Sequence, residues 1–376
     1  MIKLQYIQEL FNDKVGLPDI TLRVPGRANI IGEHIDYCSG KVLPFAIEQS
    51  MYFVAKRRDD GLVNVHALDV SEQTKIVLGE QIELSGWANY FYQVIRVIEQ
   101  KHKIAGLDIY FNSDIPIGAG VSSSSAICVG VITIFNSVFN LGISNEEIID
   151  IALQAEHGMG IRGGIMDQYT MIHSKENQAL LLDCEIGSHS YIDMTDNPYK
   201  WILLNTNIKH NLSNTPYNKR RSQAEEALRL INEIEESNHT FKTINDSDLD
   251  LLNDWPLLRN RVRHVHFEMK RVDKAVEYIQ SKEYHKLGNI LNQSHHSLSN
   301  YYDVSCPELN YICDQLGEDN QVIGARMMGG GFGGSVIALV LDTFDSQKIE
   351  SEYALKFKIK LGVIGVTPSR GVKVIL

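Results

Sequence analysis

The stretch Val24–Ile47, VPGRANIIGEHIDYCSGKVLPFAI, constrains this chain more than any other. Arg27, Glu33, His34 and Asp36 fall within ten positions, between two apolar segments that read as buried strand. Polar groups crowded beside a core must be satisfied, either by other protein groups or by a polar ligand. A salt-bridged turn and a binding site both meet that demand, so the choice depends on the rest of the chain.

At 376 residues the chain exceeds what one hydrophobic core usually serves. Two domains are expected, 1–175 and 176–376, divided at the polar stretch SKENQ. A net charge of −11 argues against nucleic acid or an anionic membrane as the main partner. The local exception, Lys219, Arg220 and Arg221, reads as a solvated helix face or a phosphate-facing patch. Five scattered cysteines, none in a C-x-x-C pair, suit a reduced cytoplasm and neither a disulfide framework nor a zinc site. MIKLQYIQELF is too short and too polar for a signal peptide, and the apolar runs break well before a membrane span. The expectation is a soluble, cytoplasmic monomer acting on a small molecule.

A second unusual segment runs from Ile115 to Gly130, IPIGAGVSSSSAICVG. Gly118 and Gly120 follow the strand-like LDIYF and precede a long apolar helix, with Ser122 to Ser125 at its start. Glycine permits close backbone approach, and the first N–H groups of a helix are unpaired and electropositive, which suits a phosphate. A serine-capped buried helix without a ligand fits the same residues. The length of the loop and its row of hydroxyls favour phosphate. It is not a Walker A loop, because no G-K-[ST] follows the glycines.

In MMGGGFGGS, Gly329, Gly331 and Gly334 satisfy G-x-G-x-x-G, but a strand follows where a dinucleotide fingerprint needs a helix. The V-A-I-K, H-R-D and D-F-G sequences of protein kinases are missing too. This loop reads as a tight hairpin that lets another segment or a ligand come close.

Periodicity predicts helices at 3–13, 87–100, 146–157, 215–235, 258–281, 284–301, 307–317 and 344–361. Strands are expected at 22–24, 28–31, 63–67, 107–111, 180–182, 202–204, 322–327 and 371–376, with an apolar run at 44–56. The polar segment 236–256 reads as a loop with short helical pieces. His264, His266, His295 and His296 read as packing and hydrogen-bonding residues, since their spacing makes no metal set.

Taken in order, GRANIIGEHIDYC, PIGAGVSSSSA and ARMMGGGFGGS resemble the three motifs of the small-molecule kinases named for galactose, homoserine, mevalonate and phosphomevalonate, the GHMP kinases. Within that group the resemblance is to the galactokinase family. Shorter matches support it: WANY at 87–90, AEH at 155–157, GIMDQ at 164–168 and PYNKRRSQAEEAL at 216–228. The resemblance implies an α/β (α+β) fold of two domains. The first would be like ribosomal protein S5 domain 2 and the second ferredoxin-like, with the active site between them. It implies ATP-dependent phosphorylation of the anomeric hydroxyl of galactose to α-D-galactose 1-phosphate, with Mg²⁺. It also implies roles. Arg27 and Asp167 match the catalytic pair. Glu33, His34 and Asp36 match sugar ligands, with Gly164 and Tyr217 at further sugar-contacting positions. Gly118, Gly120, Ser122, Ser123 and Ser124 match the triphosphate cradle, Ser124 and Glu156 the magnesium site, and Trp87 an adenine-side aromatic.

The residue chemistry is compatible with these roles. Phosphoryl transfer needs charge neutralisation, in-line positioning and a place for the acceptor's proton. Mg²⁺ takes hard oxygens and keeps waters, so one hydroxyl and one carboxylate suffice. Plainer readings exist: Asp167 as a helix cap, Glu156 as a helix-end surface acid, Tyr217 and Trp87 as packing. Four departures stand out: Ile35 for the usual Thr, Cys38 for Asn, Gly163 for a common Cys or Ser, and Ser335 for a common Cys. The first two flank the sugar ligands and bear on which sugar is taken. A kinase for N-acetylgalactosamine, L-arabinose or a uronic acid is the alternative, and a non-catalytic galactose/ATP sensor a second.

Overall fold

The computed structural model describes residues 2–208 and 216–376, so the start of the helix expected at 215 lies outside the described residues. Helix α1 (Ile2–Lys14) leads into strand β1 (Ile20–Asn29). The two strands expected at 22–24 and 28–31 are thus largely one, with Ile30 and Ile31 beyond its end. Its pairing with β3 shifts register between Pro25 and Arg27. Proline brings no N–H to a ladder, and a bulge at such a point re-aims the side chains after it, Arg27 among them.

Next come β2 (Lys41–Val42), β3 (Pro44–Arg57), β4 (Leu62–Ala67), β5 (Glu72–Val77), α2 (Trp87–Glu99) and β6 (Leu107–Ser113). Three helices follow, α3 (Ser123–Phe139), α4 (Asn145–Gly158) and α5 (Met166–His173). Helix α3 is apolar on every face and buried from Ser125 to Phe135, so it forms the axis of this half, against β1, β3, α2 and α4. A capping box, Ser144 with Glu147, starts α4.

The chain continues through β7 (Gln178–Asp183), β8 (Ser188–Asp193), β9 (Lys200–Asn205), α6 (Pro216–Glu235), α7 (Pro256–Gln280) and α8 (Tyr284–Ser297). A π turn at Leu298–Tyr302 ends α8 before the residue 301 expected from periodicity. Then follow α9 (Pro307–Gly317), β10 (Val322–Met328), β11 (Ser335–Val340), α10 (Gln347–Phe357), β12 (Gly362–Val366) and β13 (Lys373–Val374). The helix expected to run to 361 stops at Phe357, where Lys358 turns left-handed, and β12 follows.

Among the described residues the strands form three sheets. One runs β13-β1-β3-β6-β4-β5, antiparallel except for β4 beside β6. A second, wholly antiparallel, runs β10-β11-β9-β12 with α8 and α9 against β10. The third is β2-β7-β8. The closing strand at the C-terminus pairs with β1, so the end of the chain returns to the first sheet. Segment 236–256 carries one 3-10 turn, Asp248–Leu252, in otherwise irregular chain.

Candidate active site

The loop after β1 is anchored from below and polar above. Ile30, Ile31 and Ile35 are fully buried, and the Gly32 N–H donates to Glu268 Oε1 on α7 at 3.1 Å. Anchored so, the loop turns Glu33, His34 and Asp36 towards one cavity of about 210 Å³. Ile35 and Cys38, the departures beside the sugar positions, are buried beneath the loop and do not line that cavity. They act on it only by shaping the loop.

Glu33 is deeply engaged by the protein. It accepts from Asn29 Nδ2 at 2.7 Å and from the Gly329 N–H at 2.7 Å, and Arg326 stands 3.4 Å away. A carboxylate has about four lone-pair sites, so Glu33 retains capacity for a ligand hydroxyl. His34 adopts φ 62 and is packed among Tyr37, Tyr217 and Tyr302. Burial lowers its pKa to about 3, which keeps the ring neutral. Asp36 faces Gly164 so closely that a Cβ there would collide with the Asp36 carboxylate. Burial, with Asp167 nearby, raises Asp36 to about 7.

Arg27 and Asp167 meet as the sequence suggested. Arg27 Nε donates to Asp167 Oδ1 at 2.6 Å, and another guanidinium N–H goes to the Gly120 carbonyl. Burial alone would lower the Arg27 pKa, but Asp167, Glu33 and Asp36 around it outweigh that and raise it. The other Asp167 oxygen accepts the Ser122 hydroxyl at 2.5 Å. The alternative of a serine-capped helix does not hold. Ser122 is the N-cap of α3, but it is left-handed (φ 63) and its hydroxyl serves Asp167 in place of the helix. No side chain caps α3, and its N-terminus opens on the cavity lined by Gly118, Gly120 and Ser122 to Ser125.

The glycine-rich segment between β10 and β11 is a hairpin, as its following strand predicted. It packs on the phosphate-type loop. A Cβ on Gly329 (φ +85) would stand 3.1 Å from the Gly120 carbonyl, and Ser335 Oγ donates to the Ala119 carbonyl at 2.7 Å. Glu156 is buried on α4. It accepts from Ser125 Oγ at 2.7 Å and from Gln168 Nε2 at 2.9 Å, and burial raises its pKa to about 7. Ser124 lines the same wall. A hydroxyl and a buried carboxyl lacking an ion-pair partner among the described residues are hard oxygen donors that fit Mg²⁺.

Trp87 is not brought to the cavity. Its indole N–H donates to Glu72 at 2.6 Å and its ring packs edge-on against Phe91 and Phe111. In the basic cluster, Arg220 is buried against the Tyr302 and Asp303 carbonyls, and Arg221 pairs with Glu225. Both are structural, and neither lines the cavity. His264 bonds Ser297 and the Glu33 carbonyl, His295 accepts from the Met327 N–H and His266 pairs with Asp246, as packing residues do.

Sequence reasoning missed Arg326 and Glu268. Arg326 is fully buried and donates to the carbonyls of Ile30, Met327 and Asn29. Glu268 holds Gly32, Ser294 and Arg271, and despite its burial Arg271, His264 and Arg326 lower its pKa to about 2. The Arg within ARMMGGGFGGS was a visible signal for the first, while nothing in α7 marked the second.

Comparison with known proteins points to one family. The galactokinase galactose-binding signature matches residues 8–57, the GHMP kinases N terminal domain 89–175 and the GHMP kinases C terminal model 275–359. The chain is 37% identical over 356 residues to a galactokinase of Thermosipho africanus, covering 93% of this chain and 98% of that protein. It is 36% identical to one of Clostridium beijerinckii, covering 92% and 90%. The structure of Lactococcus lactis galactokinase complexed with galactose superposes with a TM-score of 0.91 at 26% identity, covering 99% of both chains. Methanococcus jannaschii mevalonate kinase shares the fold, with a TM-score of 0.67 at 17% identity over 93% of this chain and 98% of that one.

Proposed function

The chain belongs to the galactokinase family of the GHMP kinases, and on that premise we propose which of its residues carry the phosphorylation of galactose by ATP. One observation supports the assignment most. Arg27 and Ser122 hold the two oxygens of Asp167 where the sugar loop, the phosphate loop and the glycine hairpin meet.

Galactose lies with its far hydroxyls on Glu33, His34 and Asp36 and its ring against Gly164 and Tyr217. Its anomeric hydroxyl faces Asp167. The triphosphate of ATP takes the loop from Gly118 to Ser124, where the open N-terminus of α3 favours an anion. The anomeric oxygen bonds to the γ-phosphorus as its proton passes to Asp167. The bond from that phosphorus to the β–γ bridging oxygen breaks, and ADP leaves. Arg27 fixes the orientation of Asp167 and sits where negative charge builds on the transferring group. Ser124 and Glu156 would hold Mg²⁺, which when bound neutralises phosphate charge.

ATP consumption against a panel of sugars tests the reading. Galactose is expected to give the highest kcat/KM, and turnover with another sugar but not galactose would sink it. Base catalysis supplies roughly 10²–10⁴-fold in such reactions. Asp167→Asn is therefore expected to lose turnover by about that factor while calorimetry still detects galactose binding. Near-full turnover in this variant would remove Asp167 from its role.

A further inference from the structure

The ring of His34 is held by residues that the catalytic reading leaves without a task. His34 Nδ1 lies 2.7 Å from the Tyr37 hydroxyl, which lies 2.9 Å from the hydroxyl of Tyr302. Tyr302 is fully buried and ends the π turn after α8, so this chain of hydroxyls reaches the sugar loop from the other half of the sequence. Arg220 Nε pins the Tyr302 carbonyl at 2.7 Å, and the Tyr302 ring stands 5.0 Å from His34. His34 itself is left-handed (φ 62), a backbone state that a non-glycine keeps only where its surroundings over-determine it.

The distances favour one direction along this chain. At 2.7 Å the contact is ordinary for Tyr37 O–H donating to Nδ1 and at the short limit for Nδ1–H donating to Tyr37. With Tyr37 donating to Nδ1, the Tyr302 hydroxyl 2.9 Å away can donate to the Tyr37 oxygen, its other acceptor being the Arg220 carbonyl at 3.4 Å. A neutral imidazole whose Nδ1 accepts must carry its proton on Nε2. The Gly330 backbone approaches the ring and favours a proton on it. Among the described residues Nε2 is buried without a partner of good hydrogen-bond geometry, and it belongs to a residue that lines the cavity.

We propose that Tyr37 and Tyr302 are positioning residues that fix His34 as its Nε2–H tautomer, so that the sugar site presents a proton donor at His34 beside the carboxyl of Asp36. A donor there reads a hydroxyl oxygen and discriminates against a sugar lacking it. The inference rests on the reading of His34 as a sugar ligand, but its central claim is a protonation pattern that exists without sugar.

Nitrogen NMR of protein labelled with ¹⁵N-histidine, with the His34 signals identified by their loss in His34→Gln, measures that pattern directly. Wild type is expected to show Nε2 protonated and Nδ1 free. Tyr37→Phe, which keeps the ring and removes the donor, is expected to shift His34 to mixed tautomers, with Tyr302→Phe moving it less in the same direction. Loss of one such hydrogen bond corresponds to a galactose KM about tenfold higher in Tyr37→Phe, with kcat and the KM for ATP little changed. Among deoxygalactoses, the one lacking the hydroxyl read by His34 is expected to show no such penalty. A wild-type Nδ1–H tautomer overturns the proposal, as does an unaltered tautomer and KM in both variants. Absence of galactose turnover in wild type would defeat the functional reading and leave the tautomer result standing.

Discussion

Asp36 shows what one residue contributes at odds with the fold. Burial, with Asp167 nearby, raises its pKa from the ordinary 3.8 to about 7. Between those values the folded protein holds a proton that the unfolded chain has lost. Stability owed to this group is therefore highest below about pH 4, falls as pH rises through the window, and stays low above about 7. Asp36→Asn removes the titration. Measured by urea unfolding across a pH series, the variant is expected to gain on wild type as pH rises from about 4 to about 7, after which the gap levels off. A gap independent of pH would mean that Asp36 is solvated. The same variant is expected to bind galactose more weakly, since the proposed function has Asp36 hold a sugar hydroxyl. Gly164 completes the argument: any side chain at 164 would displace Asp36.

At the level of elements, the phosphate loop has little regular structure of its own and is shaped by the hairpin behind it. Ser335, at the start of β11, donates to the Ala119 carbonyl, and both residues are buried. Ser335→Ala leaves that carbonyl without its donor, at a cost of about 1–3 kcal/mol in a buried site. Since Ala119 lies between Gly118 and Gly120, the loss falls on the loop assigned to ATP. The KM for ATP is expected to rise severalfold while that for galactose stays near wild type. Equal changes in both constants would mean that the hairpin supports the site only in general. A thiol is a weaker donor than a hydroxyl, so Ser335→Cys is expected to fall between the two.

Across the whole molecule, what the sequence disclosed followed a physical rule. The three polar, glycine-rich motifs stood out because such residues are costly beside a core unless they have partners, and Arg27, Asp167, Glu33, His34 and Asp36 do converge. Strands at 72–77, 188–193 and 362–366 were not legible, and all three are sheet edges. EQTKIV and SHSYID are largely polar and GVIGV is glycine-rich, so none carries the alternation of a half-buried strand. Arg326 and Glu268 were illegible for a different reason, since burial of a charge is decided by tertiary packing. Arg326 now carries the strongest claim at this scale. From β10 it binds the carbonyls at the end of β1 and approaches Glu33, joining the second sheet to the sugar loop. Arg326→Met keeps much of the volume but removes the donor to three carbonyls and the guanidinium that stands 3.4 Å from Glu33. Removing one partner of a buried pair typically costs about 3–5 kcal/mol. Total stabilities are only about 5–15 kcal/mol, so the variant is expected to unfold at much lower urea than wild type. Galactose at a hundred times its dissociation constant restores about 2.7 kcal/mol by mass action. Because Arg326 holds the loop proposed to bind the sugar, the variant's galactose affinity is expected to drop, so a fixed galactose concentration protects it less than wild type. A loss below about 1 kcal/mol, or equal protection of both proteins, would reduce Arg326 to a filler of volume.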